Sequence, residues 1–99
     1  MMEITQEKNG SSLILHIGGR IDTKTAPELE AVVRAALAEL TELVFDLGET
    51  AYISSAGLRI LLLAQKQMNR QGTMKVTNVS QELMDIFEVT GFLNILTIA

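Results

Sequence analysis

Residues 43–64 read LVFDLGETAYISSAGLRILLLA. A nearly continuous apolar run, 43–47, is followed by turn-forming residues and then by two serines and a glycine that open a long apolar segment. The run reads as a strand covered on both faces. Residues 48–54 read as a loop, and residues 56–71 as a helix closed by Gly72. A second short strand follows at 74–77. Strand, helix and strand in this order favour parallel pairing through a right-handed crossover.

The flanking segments extend this unit in both directions. Residues 3–8 suit an edge strand, and Asn9-Gly10-Ser11 is a hairpin turn signal. Leu13, Leu15 and Ile17 then alternate with Ile14 and His16 over a strand at 12–18, which Gly18-Gly19-Arg20 ends. A helix starts near Pro27, with Thr25 and Glu28 at capping-box spacing. Its apolar stripe of Leu29, Val32, Val33, Ala36, Leu37 and Leu40 carries it to about residue 40. Ser80 caps a third helix that runs to about Val89 and is closed by Gly91, with Phe92 packing behind the glycine. Residues 94–98 read as a last strand. The expected fold class is α/β, with element order β-β-α-β-α-β-α-β and helices packed on a mixed sheet.

Composition narrows the functional classes. The 99 residues are expected to form one domain, 1–99, and with 47% apolar residues a packed core rather than disorder. There is no cysteine, so no disulfide, thiol chemistry or Cys-ligated zinc is available. The start, MMEITQEKNG, has no signal-peptide apolar run, and no apolar stretch reaches spanning length. A cytoplasmic protein without membrane insertion is expected. A net charge of −4, with three Phe, one Tyr and no Trp, argues against nucleic-acid binding and base stacking.

The chemistry-bearing positions gather around the second helix. Ser55 stands where loop becomes helix, facing free backbone N–H groups and the positive end of the dipole. That setting suits a helix cap, as at Ser80, and equally an added phosphate. Gly57 keeps the first turn small. Leu61, Ala64 and Met68 read as core, whereas Leu58 and Leu62, near the serines or on their flank, are candidates for partner contact. Arg59, Lys66 and Arg70 share an outer face at helical spacing, either a solvated ridge or a docking ridge. Asp22 is an acidic turn residue before a helix, and Asp46 can hold a neighbouring loop by accepting N–H bonds.

Two segments together resemble the STAS domain, and most closely the stand-alone bacterial anti-sigma factor antagonists. One is Gly19-Arg20-Ile21-Asp22-Thr23 ahead of a helix. The other is Phe45-Asp46-Leu47, a loop, and Ile53-Ser54-Ser55-Ala56-Gly57-Leu58, similar to the family's phosphorylation turn. Gly91-Phe92 also fits, so the resemblance covers nearly the whole chain. It implies a STAS-like mixed sheet lacking the extra C-terminal helix with which many members continue. It implies that Ser55 is the phosphoacceptor and that Asp22, Thr23, Ser54, Ser55, Ala56, Gly57, Leu58, Arg59 and Leu62 form the partner-binding surface. The implied partner is an anti-sigma factor that is also a serine kinase and brings its own ATP, with a separate phosphatase for reset and no cofactor on this chain. Three positions depart from the family pattern: Ser54 where Asp is common, Ala56 where a second hydroxyl is common, and Arg59 where Gly is frequent. With an Asp lost beside the acceptor, the alternative is a non-switching STAS subunit of a lipid-transport ATPase complex.

Catalysis finds no support in the residues. His16 is the only histidine and reads as a core or edge residue of its strand. The phosphate-loop pattern G-x-x-x-x-G-K-[ST] is absent, and Gly18-Gly19 is too short for a dinucleotide fingerprint. The five methionines suit core filling.

Overall fold

A computed structural model describes residues 2–99. It contains β1 (Met2–Asn9), β2 (Ser12–Ile21), α1 (Ala26–Leu37), β3 (Glu42–Ile53), α2 (Ser55–Gln71), β4 (Thr73–Thr77), α3 (Gln81–Val89) and a 3-10 turn, Phe92–Asn94. The sheet order is β1-β2-β3-β4. β1 and β2 are antiparallel, β2–β3 and β3–β4 parallel. The expected mixed sheet and α/β class are therefore present, built on the hairpin at Gly10, whose φ of +63° suits glycine.

Leu13, Leu15 and Ile17 of β2, with Leu43, Phe45 and Leu47 of β3, point into one core against Leu29, Val33, Leu61, Ala64, Met68, Leu83 and Phe87 of the helices. The helices cover this face only. On the opposite face Ile14, His16, Val44 and Asp46 are half-buried. β3 is thus covered on one side, not two: the valine and aspartate interleaved in its apolar run mark the open face.

β2 and β3 both run past the glycines expected to end them. Their register shifts between His16 and Gly18 and again between Gly19 and Arg20, after which Arg20 pairs with Tyr52 and Ile21 with Ile53. The burial along β3 records these irregularities. Buried positions step by two through Leu43, Phe45 and Leu47, then by three to Thr50 and Ile53. Gly19 takes φ +92°, and the Thr50 hydroxyl donates to the Ile17 carbonyl at 2.6 Å, satisfying a group the shifted ladder leaves open. Residues 48–53 are therefore strand rather than loop.

α1 stops at Leu37, short of residue 40, because the chain turns back there toward β3. The Gln71 side-chain amide donates to the carbonyls of Leu37 and Leu40, each at 2.6 Å, and so closes the end of α1. Gly72 follows α2 as expected, but for a different reason. Its φ of 176° is ordinary extended backbone. A Cβ there would collide with the Thr41 carbonyl, which accepts the Thr73 N–H at 2.9 Å.

The last expected strand is reduced to one parallel bridge, Val76 to Ile98. Residues 92–96 spend their backbone groups on helical turns, with the N–H groups of Ile95 and Leu96 both bonding the Phe92 carbonyl. Only the end of the chain reaches β4, where Val76 N–H donates to Thr97 and Ala99 N–H to Val76. Gly91 does close α3, with φ +82°, and Phe92 packs against the core.

Candidate functional site

Two loops meet at the start of α2. The Ser54 N–H donates to the Ile21 carbonyl at 2.8 Å, which laces the end of β3 to the end of β2. The Asp22-Thr23 turn therefore lies beside the serines, and Thr23 and Ala56 line one depression between the starts of α1 and α2.

The cap of α2 is Ser54, not Ser55. Ser54 is extended, with φ −93° and ψ 175°, and its hydroxyl accepts the Gly57 N–H at 3.4 Å, while its carbonyl takes the first α-helical bond from Leu58 at 2.9 Å. Ser80 caps α3 in the same way, accepting from Leu83 at 3.2 Å. Ser55 is the first helical residue and is exposed. Among the described residues its hydroxyl has no hydrogen-bond partner in the protein. The N–H groups of Ser55 and Ala56 head the helix without intrahelical acceptors.

Asp22 is occupied within its own turn. Its Oδ1 accepts the N–H groups of Lys24 (2.9 Å) and Thr25 (3.1 Å), and its Oδ2 stands 3.8 Å from the Arg20 guanidinium. The N–H groups of Thr25 and Lys24 hold this carboxylate below its usual range. Thr25 does not form the expected capping box with Glu28. Its hydroxyl instead donates to the Arg20 carbonyl and accepts the Asp22 N–H, both at 2.8 Å. The turn is thus rigidly tied, and Thr23 is its exposed tip.

Of the expected surface residues, Thr23, Ser55 and Arg59 are exposed, and Asp22, Ser54, Ala56 and Leu62 half-buried. Gly57 and Leu58 are not on the surface. Leu58 is only 6% exposed and belongs to the core cluster. It lies one turn before Leu61 on the buried stripe of α2, over the ends of β2 and β3. A Cβ at Gly57 would stand 2.6 Å from Ile21 Cγ2 and 2.7 Å from Ile53 Cγ1. The glycine is therefore what lets α2 seat against the ends of β2 and β3.

Two exposed residues beside the serines were absent from the expected surface. The Arg20 guanidinium lies 4.4 Å from the centroid of the Tyr52 ring, which is 37% exposed. The pair follows from the Arg20–Tyr52 register. Reading 48–53 as a strand would have placed Tyr52 there.

A second polar cluster lies on the open face of the sheet. His16 Nδ1 is 2.6 Å from Asp46 Oδ2 and Nε2 is 2.9 Å from Glu7 Oε1. Asp46 Oδ1 also accepts the Gly48 N–H and the Asn78 amide, each at 2.9 Å, so it does hold neighbouring loops. Hydrogen bonds to Asp46 and Glu7 raise the His16 pKa, while those from Asn78 and Gly48 lower that of Asp46. Both imidazole nitrogens are engaged by carboxylates, an arrangement that favours the protonated ring and leaves neither nitrogen free to activate a hydroxyl.

Comparison with known proteins agrees with this fold. The family model described as the STAS domain matches residues 3–99. BtrV of Bordetella bronchiseptica, a candidate anti-sigma factor antagonist, is 36% identical over 100 residues, covering 99% of this chain and 86% of that protein. An anti-sigma factor antagonist from Mycobacterium paratuberculosis superposes with TM-score 0.90 at 23% identity, over 99% of this chain and 85% of that one. The phosphorylated form of the Bacillus cell fate determinant SpoIIAA does so with TM-score 0.77 at 15% identity, over 98% and 91%.

Proposed function

The chain belongs to the STAS domain family, and from that premise we propose that it acts as a single domain, 1–99, and as an anti-sigma factor antagonist switched at Ser55. It binds an anti-sigma factor that is also a serine kinase, and phosphorylation of Ser55 by the partner's ATP releases it. A phosphatase restores the binding form. The protein is a substrate and a binding module rather than an enzyme, and it works in the cytoplasm. No helix among the described residues is long and apolar enough to cross a membrane.

The observation that carries this reading is the division of labour between adjacent serines. Ser54 performs the capping, so the Ser55 hydroxyl is left exposed with no structural task. Phosphate there gains the free N–H groups and the dipole of a 17-residue helix. It adds nearly two negative charges to the patch formed by Thr23, Ser54, Ser55 and Ala56. A partner docked over that patch meets both the charge and the bulk. BtrV is named as a candidate anti-sigma factor antagonist, and SpoIIAA, which shares the fold, has a phosphorylated form.

The test is a pull-down with wild-type, Ser55→Ala and Ser55→Asp baits. A serine kinase of the anti-sigma type retained by wild type and Ser55→Ala but lost by Ser55→Asp supports the switch. Retention of one non-kinase partner by all three baits replaces it with the non-switching transport-ATPase subunit.

A further inference from the structure

The seam between α1 and α2 gathers half of the chain's positive charge. Arg34 of α1 and Arg59, Lys66 and Arg70 of α2 line one groove with Leu62 and Leu63. The whole chain has eight Lys and Arg and a net charge of −4. Four of those eight therefore stand on one face of an acidic protein. Only Arg34 is neutralised, by Glu30 at 2.7 Å; Arg59, Lys66 and Arg70 make no ion pair among the described residues.

The groove has an apolar element as well. Leu63 packs against the core from the side, whereas Leu62 is half-buried and lies outside the core cluster. Arg59, Leu62, Lys66 and Arg70 follow one another at helical spacing, so the leucine sits between cations on a single stripe. At 1.5 Å per residue the stripe from Arg59 to Arg70 is about 16 Å long, or three helical turns. Its length and its apolar seam flanked by charge match one helix laid alongside. A flat anionic surface would meet only the crests of α1 and α2.

We propose that the α1–α2 groove is a docking site for an acidic amphipathic helix of a protein partner, which sets a leucine-type side chain against Leu62 and carboxylates against Arg59, Lys66 and Arg70. The groove shares Arg59 and Leu62 with the partner surface that the resemblance implies, but it extends past that surface to Arg34, Lys66 and Arg70, and the proposal does not require phosphorylation. The charge match supplies recognition and salt sensitivity, and the leucine contact supplies register.

The probe is a synthetic amphipathic helix of about 18 residues, three or more turns, with a leucine stripe flanked by glutamates. It is titrated into the unphosphorylated, full-length protein and followed by amide chemical shifts. Saturable shifts confined to α1 and α2 are expected, with affinity falling about tenfold between about 50 and 300 mM salt. The triple reversal R59E/K66E/R70E should weaken binding at least about 30-fold, and a peptide with lysines in place of glutamates should bind that variant in turn. All three positions are partner-free surface, so circular dichroism and melting of the variant should match the wild type. Shifts away from the groove, or a triple reversal without effect, overturn the proposal, as does a lack of saturable binding. Sedimentation with phosphatidylglycerol vesicles, lost in the triple reversal while the peptide does not bind, would make the groove a membrane contact instead.

Discussion

The Ser54 amide donates to the Ile21 carbonyl at 2.8 Å, and this one bond sets the two loops of the candidate site side by side. It also decides which serine caps α2. With its N–H tied to β2, Ser54 is held extended and turns its hydroxyl toward Gly57. Ser55 becomes the first helical residue and faces outward.

The two serines should therefore respond differently to the same change. Ser54→Ala removes the cap and should cost about 0.5–1 kcal/mol. Ser55→Ala removes a hydroxyl without a partner and should stay within about 0.5 kcal/mol of wild type. Urea denaturation of the two variants measures both, and an equal loss at Ser55 would show that it shares the capping role.

Gly57→Ala tests the close seating of α2. Alanine is the better helix former, but its methyl would stand 2.6 Å from Ile21 Cγ2 and 2.7 Å from Ile53 Cγ1. Overpacking should win, with a net destabilisation of about 1–3 kcal/mol. Increased amide exchange at Ile21 and Ile53 should accompany the lowered melting temperature.

Thr50 tests the irregular pairing of β2 with β3. Its hydroxyl is the buried donor to Ile17 at 2.6 Å. Thr50→Val keeps the shape and strands a buried carbonyl, for a cost of about 1–3 kcal/mol, while Thr50→Ser should retain most of the stability. Equal stability of the two variants would remove the hydroxyl from the account.

The His16 cluster makes stability depend on pH in two directions. The His16 pKa is raised above the ordinary 6.5, so its contribution is complete below that value and disappears as pH rises through the folded-state pKa. The Asp46 pKa is lowered below the ordinary 3.8, so its contribution is complete above that value and disappears as pH falls through the folded-state pKa. Stability from this cluster should therefore be greatest between pH 3.8 and 6.5. His16→Gln should flatten the alkaline side of the profile, and a two-dimensional NMR titration of the imidazole should show the raised midpoint.

Local pattern carried most of the architecture. The alternation of Leu13, Leu15 and Ile17, the helical stripe of Leu61, Ala64 and Met68, the Gly10 hairpin and the Ser80 cap each depend on neighbours a few residues away, and each was legible in the chain. The serine turn was legible for the same reason. The tertiary structure decided what long-range contacts decide. β2 and β3 continue past Gly18 and Gly48 because they pair with each other through irregularities no single strand predicts. Leu58 is buried, and Gly57 is indispensable, because β2 and β3 end beneath α2. His16 is bridged at both ring nitrogens only because β1 brings Glu7 and β3 brings Asp46 to either side of its ring. Ser55 is free because Ile21, 33 positions earlier than Ser54, claims the neighbouring serine's amide. Periodicity reports which face of an element is apolar; only packing determines which atoms on that face find partners.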